Sequence, residues 1–429
     1  MGRRLRHFIT AMNRDRSLLY LAAFARSTGV GMSGVLVGLY AAELGLSATG
    51  VGAVISAGLL GVALGTLAVM LYGERLGRAR LLIGLALLAA IGTAAFALSP
   101  SAWMLAPAAA LGMVNGMGRD RGAAFSLEQA LLPDLTDEKG RTQSFAWYNV
   151  VLDSGHALGA LAGLLPSLLR HAGFLPLASY RAGFLVVAAT SLVGCLAYAG
   201  LSAKAKAQRG PARAAPVTPE SRRRIGGLAA LFAMDSIGGG FLTTALLSYW
   251  FFRRFGVGEE TLAPLFLLAR IANGASHLAA AWLARRFGLL RTMVFTHLPS
   301  SLLLLTVPIA PSFTVAALLY LLRECLVEMD VPTRQSYVVA VVRPEERAAA
   351  AGATNLVRTA GWAVAPAFAG AAMQGVALWS PLAAGAALKI AYDVLLYRGF
   401  RRIKPPEETG PTPPGASRTP SARPRTGAP

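Results

Sequence analysis

Sixteen ionisable side chains interrupt runs that are otherwise apolar. The acids are Asp120, Glu128, Asp153, Asp235, Glu324, Glu328, Asp330 and Asp393, and the cations are Arg26, Arg119, Arg121, Arg270, Arg323, Arg334, Arg358 and Lys389. At mid-helix in hydrocarbon each costs about 2.5–3.5 kcal/mol, so such groups face a partner or water. Equal numbers of the two signs point to ion pairing. Asp235 stands in Ala233-Met234-Asp235-Ser236-Ile237-Gly238-Gly239-Gly240, without an opposite charge at i±4 and beside glycines that permit bending. Apolar surroundings favour the neutral form of a carboxyl group, so Asp235 is the first candidate to load and release a proton, followed by Asp153 and Asp330. The alternative for Asp235 is permanent pairing with Arg26 or another arginine.

Residues 322–337 hold the densest polar set. At 100° per residue Arg323, Asp330, Arg334 and Tyr337 share one face of a continuous helix, while Glu324 and Glu328 share another. The stripe either lines a cavity or pairs with itself through Asp330 and Arg334. Pro332 can free the carbonyl of Glu328 and kink the helix. Arg26, Arg119, Arg121, Arg323, Asp330, Tyr337 and Arg358 are the cavity candidates. Lys389 and Asp393, four apart, are expected to pair along one helix. His156 and His277 are expected to make interhelical hydrogen bonds. Cys195 and Cys325 read as small buried apolar residues, and no metal-ligand spacing is present.

The elements that position these groups follow from composition. Of 429 residues 55% are hydrophobic and 14% charged, too little polar surface for a water-soluble globule. Apolar stretches long enough to cross a bilayer lie near 17–44, 47–72, 80–99, 102–132, 142–169, 181–202, 225–252, 259–284, 290–310, 313–342, 347–373 and 376–398. The expected fold is an all-α polytopic membrane protein with 12 transmembrane helices. Alternate connections carry 29 Lys and Arg on one side against 4 on the other, which places both termini in the cytoplasm. The net charge of +20 therefore sets topology and contacts lipid; nucleic acid is not an expected partner. The expected organisation is a cytoplasmic segment 1–16, a six-helix bundle 17–202, a basic linker 203–224, a second bundle 225–399 and a disordered tail 400–429.

The halves repeat. At an offset of 206, Gln129 matches Gln335, Arg141 matches Arg347, Asn149 matches Asn355 and Gly155 matches Gly361. A weaker match sets Phe24-Ala25 against Phe232-Ala233. Two pseudo-symmetric six-helix bundles in parallel repeat are an alternating-access architecture. Under the same offset Glu128 corresponds to Arg334. These opposite charges are expected to meet across the axis as a cytoplasmic gate in the outward-open state.

Between the second and third stretches lies Gly73-Glu74-Arg75-Leu76-Gly77-Arg78-Ala79-Arg80. It resembles the loop motif of the major facilitator superfamily, with Glu74 in place of Asp and with Arg75, Gly77 and Arg78 matching. Met70 stands where the motif's leading Gly would be. The mate loop at Arg286-Phe287-Gly288 keeps Arg-x-Gly without the acid. The resemblance implies that Glu74 faces the amino end of the eleventh span, with Arg141 and Arg347 part of the same cytoplasmic charge set. Gly155-x3-Gly159-Ala160-x2-Gly163 resembles the family's exporter signature with Ala160 in place of Pro.

The resemblance implies a secondary active transporter of the drug/proton-antiporter type. The expectation is proton-coupled efflux of small organic compounds by a monomer in a bacterial inner membrane, with substrate, proton and lipid as partners and no cofactor or metal. The arginines leave a second reading open, proton-coupled uptake of an anionic metabolite. A membrane enzyme would need a nucleophile or metal cluster, and no HExxH or GxSxG is present. A non-transporting sensor would need a folded soluble domain, which no loop is long enough to supply.

Overall fold

The computed structural model describes residues 2–99, 101–120, 122–136, 141–202, 218–340, 342–343 and 346–401. The described residues form helices and no strand. In chain order these are α1 (Gly2–Glu43), α2 (Ala48–Leu76), α3 (Arg78–Leu98), α4 (Ala102–Gly112), α5 (Ala123–Leu131), α6 (Arg141–Ala162), α7 (Leu165–His171) and α8 (Pro176–Ala199). The second half has α9 (Pro219–Gly240), α10 (Thr244–Phe255), α11 (Glu259–Phe287), α12 (Leu289–Thr306), α13 (Phe313–Val327), α14 (Asp330–Ala340), α15 (Arg347–Gly375) and α16 (Ser380–Phe400). Seven of the helical stretches are long and apolar enough to cross a membrane.

Local chemistry sets the ends. Ser47, Thr243 and Ser312 each accept a backbone N–H in the first turn of α2, α10 and α13, the usual cap for groups that have no intrahelical partner. Single glycines turn the chain between α2 and α3 and between α11 and α12: Gly77 and Gly288 both have φ of 87°, where a Cβ is disfavoured. The expected linker is shorter than drawn, because α9 already begins at Pro219 behind the Thr218 cap.

Four of the expected continuous stretches are broken in two. The 102–132 stretch is unwound over 113–120 and at Gly122, the 142–169 stretch at Gly163–Leu164, the 225–252 stretch at Phe241–Thr243, and the 313–342 stretch at Glu328–Met329. Unwound backbone in a membrane needs partners from protein or cavity water. Asn115 supplies them by accepting from Met117 N (2.8 Å) and donating to Arg119 O (2.8 Å). His156 Nε2 accepts from Asp120 N (3.0 Å), and Asp120 Oδ1 accepts from Gly122 N (2.8 Å). The unwound segment after α4 also meets the first turn of α10 across the halves: Gly116 O accepts from Ala245 N (3.0 Å), and Met117 O accepts from Thr244 Oγ1 (2.9 Å). Because the last stretch breaks, Arg323 sits on α13 and Asp330, Arg334 and Tyr337 on α14, so the expected stripe does not run along one helix. The kink falls just before Pro332, which occupies the first turn of α14, where its missing N–H is tolerated.

The hydrophobic core fixes the shape. At the end away from the termini it is one cluster shared by both halves, with Val35, Leu36, Tyr40 and Ile55 joined to Leu246, Trp250, Phe251 and Phe266. Towards the termini it divides into two clusters, one around Leu127, Tyr148 and Tyr198 and one around Phe232, Tyr337 and Tyr392. The halves are therefore welded at one end and parted at the other. Cys195 is buried as expected; Cys325 is exposed on the outer face of α13.

Candidate functional site

Between the halves, at mid-depth, lies a cavity of about 130 Å³. It adjoins a larger cleft of about 840 Å³ walled by α5, α6, α11, α14 and α15. Arg119, Arg270, Arg334 and Arg358 border both. The cleft-lining stretch Ala351–Arg358 lies towards the start of α15, and Gln129 towards the end of α5, at the parted end of the molecule.

The opposite end is sealed. Gly38 lies against the Ala245 carbonyl, and Gly52 against the backbone of Pro366 and Gly370. Ser56 Oγ accepts from Ala367 N (2.8 Å), and Thr49 N donates to Gln374 Oε1 (3.2 Å). Buried Glu259 on α11 binds Arg170 (2.5 Å) and accepts from Tyr180 Oη (2.9 Å), tying the second half to the first.

Each half buries an ionic network. In the first, Arg26 pairs with both Asp120 and Glu128, and Glu128 also accepts from Tyr148 Oη (2.6 Å) and from Tyr198. In the second, Asp235 binds Lys389 Nζ (2.8 Å) and Arg334 (3.2 Å), and Arg334 also binds Asp330 (2.5 Å). His297 Nδ1 lies 2.9 Å from Asp393, and its Nε2 lies 3.4 Å from Lys389 Nζ and 3.8 Å from Asp235. Arg323 pairs with Glu324, which also accepts from Asn273 (2.9 Å). One bridge, Arg119 to Glu328, crosses between the halves at the cavity.

The two networks are pseudo-symmetric with inverted sign. Gly155 packs on Ser27, the Phe24 carbonyl and Thr28 N; Gly361 packs on Ser236, the Ala233 carbonyl and Ile237 N. The structural register of α1 on α9 is thus 209, one more than the Phe24-to-Phe232 match suggested, because the backbone contact of the paired glycines decides it. In that register Arg26 corresponds to Asp235 and Glu128 to Arg334. The same pair of positions is bridged in both halves, cation first in one and acid first in the other.

Several expectations change accordingly. Glu128 and Arg334 do not meet here; each is satisfied inside its own half by an opposite charge from α1 or α9. Lys389 reaches Asp235 and Asp393 reaches His297, so the expected i,i+4 pair is not formed. Of the two readings for Asp235, pairing is the one seen here, with Lys389 and Arg334 in place of Arg26. Asp330, Arg119, Arg323 and Arg358 line the inner cavity, with Arg358 stacked 4.7 Å over Trp362. Asp153 is exposed on the wall of the larger cleft. Arg26 lies behind the cavity inside the first half, and Tyr337 is buried near the Phe400 carbonyl (3.5 Å). In the loop motif Gly77 makes the turn, Arg75 is exposed and Arg78 donates to Ala130 O (3.0 Å). Arg121 and the side chains of Glu74, Arg141 and Arg347 lie outside the described residues. His297, Glu259, Tyr148 and Tyr198 were not anticipated; each is one polar group in an apolar stretch, with a partner far away in sequence.

Two matched helical bundles closing on a charged passage define a membrane transport protein. The chain belongs to the Major Facilitator Superfamily, whose profile matches residues 19–366. It is 24% identical over 419 residues to an uncharacterized membrane protein of Saccharomyces cerevisiae, covering 90% of this chain and 93% of that one. Its fold is similar to that of the nucleoside transporter NupG, with TM-score 0.69, 14% identity and coverage of 90% and 99%. It is also similar to a D-xylose-proton symporter, with TM-score 0.68, 14% identity and coverage of 90% and 98%. The protein is a secondary transporter, not an enzyme.

Proposed function

We propose that the chain works by alternating access as a monomer and couples proton movement to transport of a small organic anion. One observation carries the substrate class: the inner cavity is lined by six Arg or Lys and four Asp or Glu side chains, an excess of positive charge away from bulk water. Among the described residues Arg270 donates to Thr244 Oγ1 (3.2 Å), and its buried Nη1 has no protein partner, so a guanidinium N–H is left for a carboxylate or similar group. The cavity lies between the halves of a single chain, so no second copy is needed to complete the pathway.

The coupling site is the network around Asp235. Adding a proton there releases a cation from its acid and offers it to the substrate, so proton and anion bind together, as symport requires. Asp330 on Arg334 belongs to the same network, and exposed Asp153 stands where protons enter from the larger cleft. With both termini in the cytoplasm, as the basic connections favour, the cleft described here faces inward.

Efflux by proton antiport at a bacterial inner membrane, in the drug-antiporter manner, is the second reading. It is favoured by Asp235 on the cavity wall, where a cationic compound and a proton would compete for one carboxylate. The glycines that resemble the exporter signature have a packing role here, seating α6 on α1. Flux into proteoliposomes with an imposed inward proton gradient separates the readings. Small carboxylates are expected to accumulate with protons, and Asp235→Asn to abolish the gradient's effect. Exchange of cationic compounds against protons, with carboxylates inert, would overturn the anion reading.

A further inference from the structure

His297 sits midway along α12 and is 1% exposed, yet one edge of its ring lines the inner cavity. Its other edge is held by Asp393 of α16, with Nδ1 2.9 and 3.0 Å from the two carboxylate oxygens. A carboxylate accepts only, so the ring's Nδ1 carries its hydrogen and Nε2 is the atom that gains or loses a proton. The groups around that atom come from three helices. Asp235 of α9 lies 3.8 Å away, Lys389 of α16 lies 3.4 Å away, and Asp330 and Arg334 of α14 continue the network through Asp235; Tyr392 of α16 packs edge-on against the ring.

We propose that His297 is the residence of the coupling proton and that Lys389 is the cation it releases to the substrate anion. This deepens the proposed symport reading and rests on it.

With Nε2 bare, the Lys389 ammonium bridges His297 and Asp235, the arrangement described here. A proton arriving from the cavity at Nε2 turns the acceptor into a donor. The imidazolium then repels Lys389 and donates to Asp235 in its place. Asp235 keeps a positive partner throughout, which avoids leaving a buried charge uncompensated. Lys389 Nζ, displaced, is left at the wall of the cavity that Arg358 and Arg270 also line, where a carboxylate completes its hydrogen bonds. Asp393 is a positioning residue that fixes which nitrogen faces the cavity. Proton and anion thus favour each other's binding through one exchanged contact, and releasing either restores the starting pair.

The test has a ligand-free arm and a ligand arm. Full-length protein with ¹⁵N-labelled histidine is reconstituted in liposomes, and the His297 signals are identified by their loss in His297→Gln. If that variant does not fold, Asp235→Asn identifies them through a change at Nε2. At pH 8 the expected signals are a protonated Nδ1 and a bare Nε2, and at pH 5.5 both nitrogens carry hydrogen. A neutral ring protonated at Nε2, or a ring still neutral at pH 5.5, would overturn the proposal.

In the ligand arm benzoate is the probe. Wild-type protein is expected to bind it about tenfold more tightly at pH 5.5 than at pH 8, a coupling of ordinary size for linked sites. His297→Gln is expected to remove that ratio, and Lys389→Gln to lower affinity at both pH values. An unchanged ratio in His297→Gln overturns the assignment of the proton while leaving symport standing. Failure of wild-type protein to bind or move any small carboxylate overturns the symport reading itself.

Discussion

The two half-bundles bury the same bridge between the same two positions and surround it differently. In the first half Glu128 is ringed by Arg26, Tyr148 and Tyr198, with Asp120 on the far side of the guanidinium. The phenols are neutral donors and the guanidinium keeps its charge, so this set holds no imidazole or amine beside its carboxylates. In the second half the bridge from Asp235 to Arg334 is extended by Lys389, His297 and Asp393, and its imidazole can change state in the physiological range. On the proposed reading, inverting the sign of a duplicated pair leaves the first half as the fixed wall and makes the second the responsive one.

The strongest way to break that contrast is Glu128→Ala. It strands Arg26 beside a single acid and is expected to cost about 3–5 kcal/mol, read as a fall in melting temperature of the purified protein. The folded fraction should keep the wild-type pH dependence of transport; a folded variant with altered pH dependence would show that the first half takes part in coupling. Tyr148→Phe removes one hydrogen bond to the same carboxylate, with an expected loss of about 1.5–3 kcal/mol and, again, no change in pH profile.

The contact between the halves is probed by Glu259→Gln, which leaves Arg170 without its acid. Opening at the sealed end is expected to rise about tenfold, a shift of about 1.4 kcal/mol, measured as alkylation from that side of Val51→Cys, a position fully buried while that end is shut. No rise would mean that the remaining packing and hydrogen bonds keep this end shut without the Glu259 bridge.

The smallest expected effect lies where each half meets the connection between them. Asp15 accepts from Ser202 N (3.0 Å) and Ser202 Oγ (2.5 Å); Glu346 accepts from Ser221 Oγ and from Thr218 N (2.6 Å). Those hydrogen bonds hold the Glu346 carboxyl down at about 2, below its ordinary 4.5. A depressed acid contributes its stability in full above the ordinary value and loses it as pH falls through the folded one. The melting temperature should therefore decline slightly between pH 4.5 and 2 in wild-type protein and less in Glu346→Gln.

Much of the fold was legible because bilayer thickness dictates the length of apolar runs, and because a turn at Gly77 needs a residue free to take positive φ. The charged groups of the cavity were visible as costly exceptions within those runs. Their pairing was not. Lys389 and Asp393 satisfy the helical spacing rule, yet each finds a closer partner on another helix, and spacing along one chain carries no information about neighbouring helices. The breaks in four spans hid in plain glycine and small-residue composition, which equally suits tight helix packing. His297 was passed over because one imidazole in an apolar stretch has no local signature; only the approach of α16 gives it a role.

The tie between Gly116 O and Ala245 N joins the halves through main-chain atoms. Such a link is indifferent to which side chains flank it. On the alternating-access reading, side chains around the passage can differ while this main-chain contact between the halves is kept.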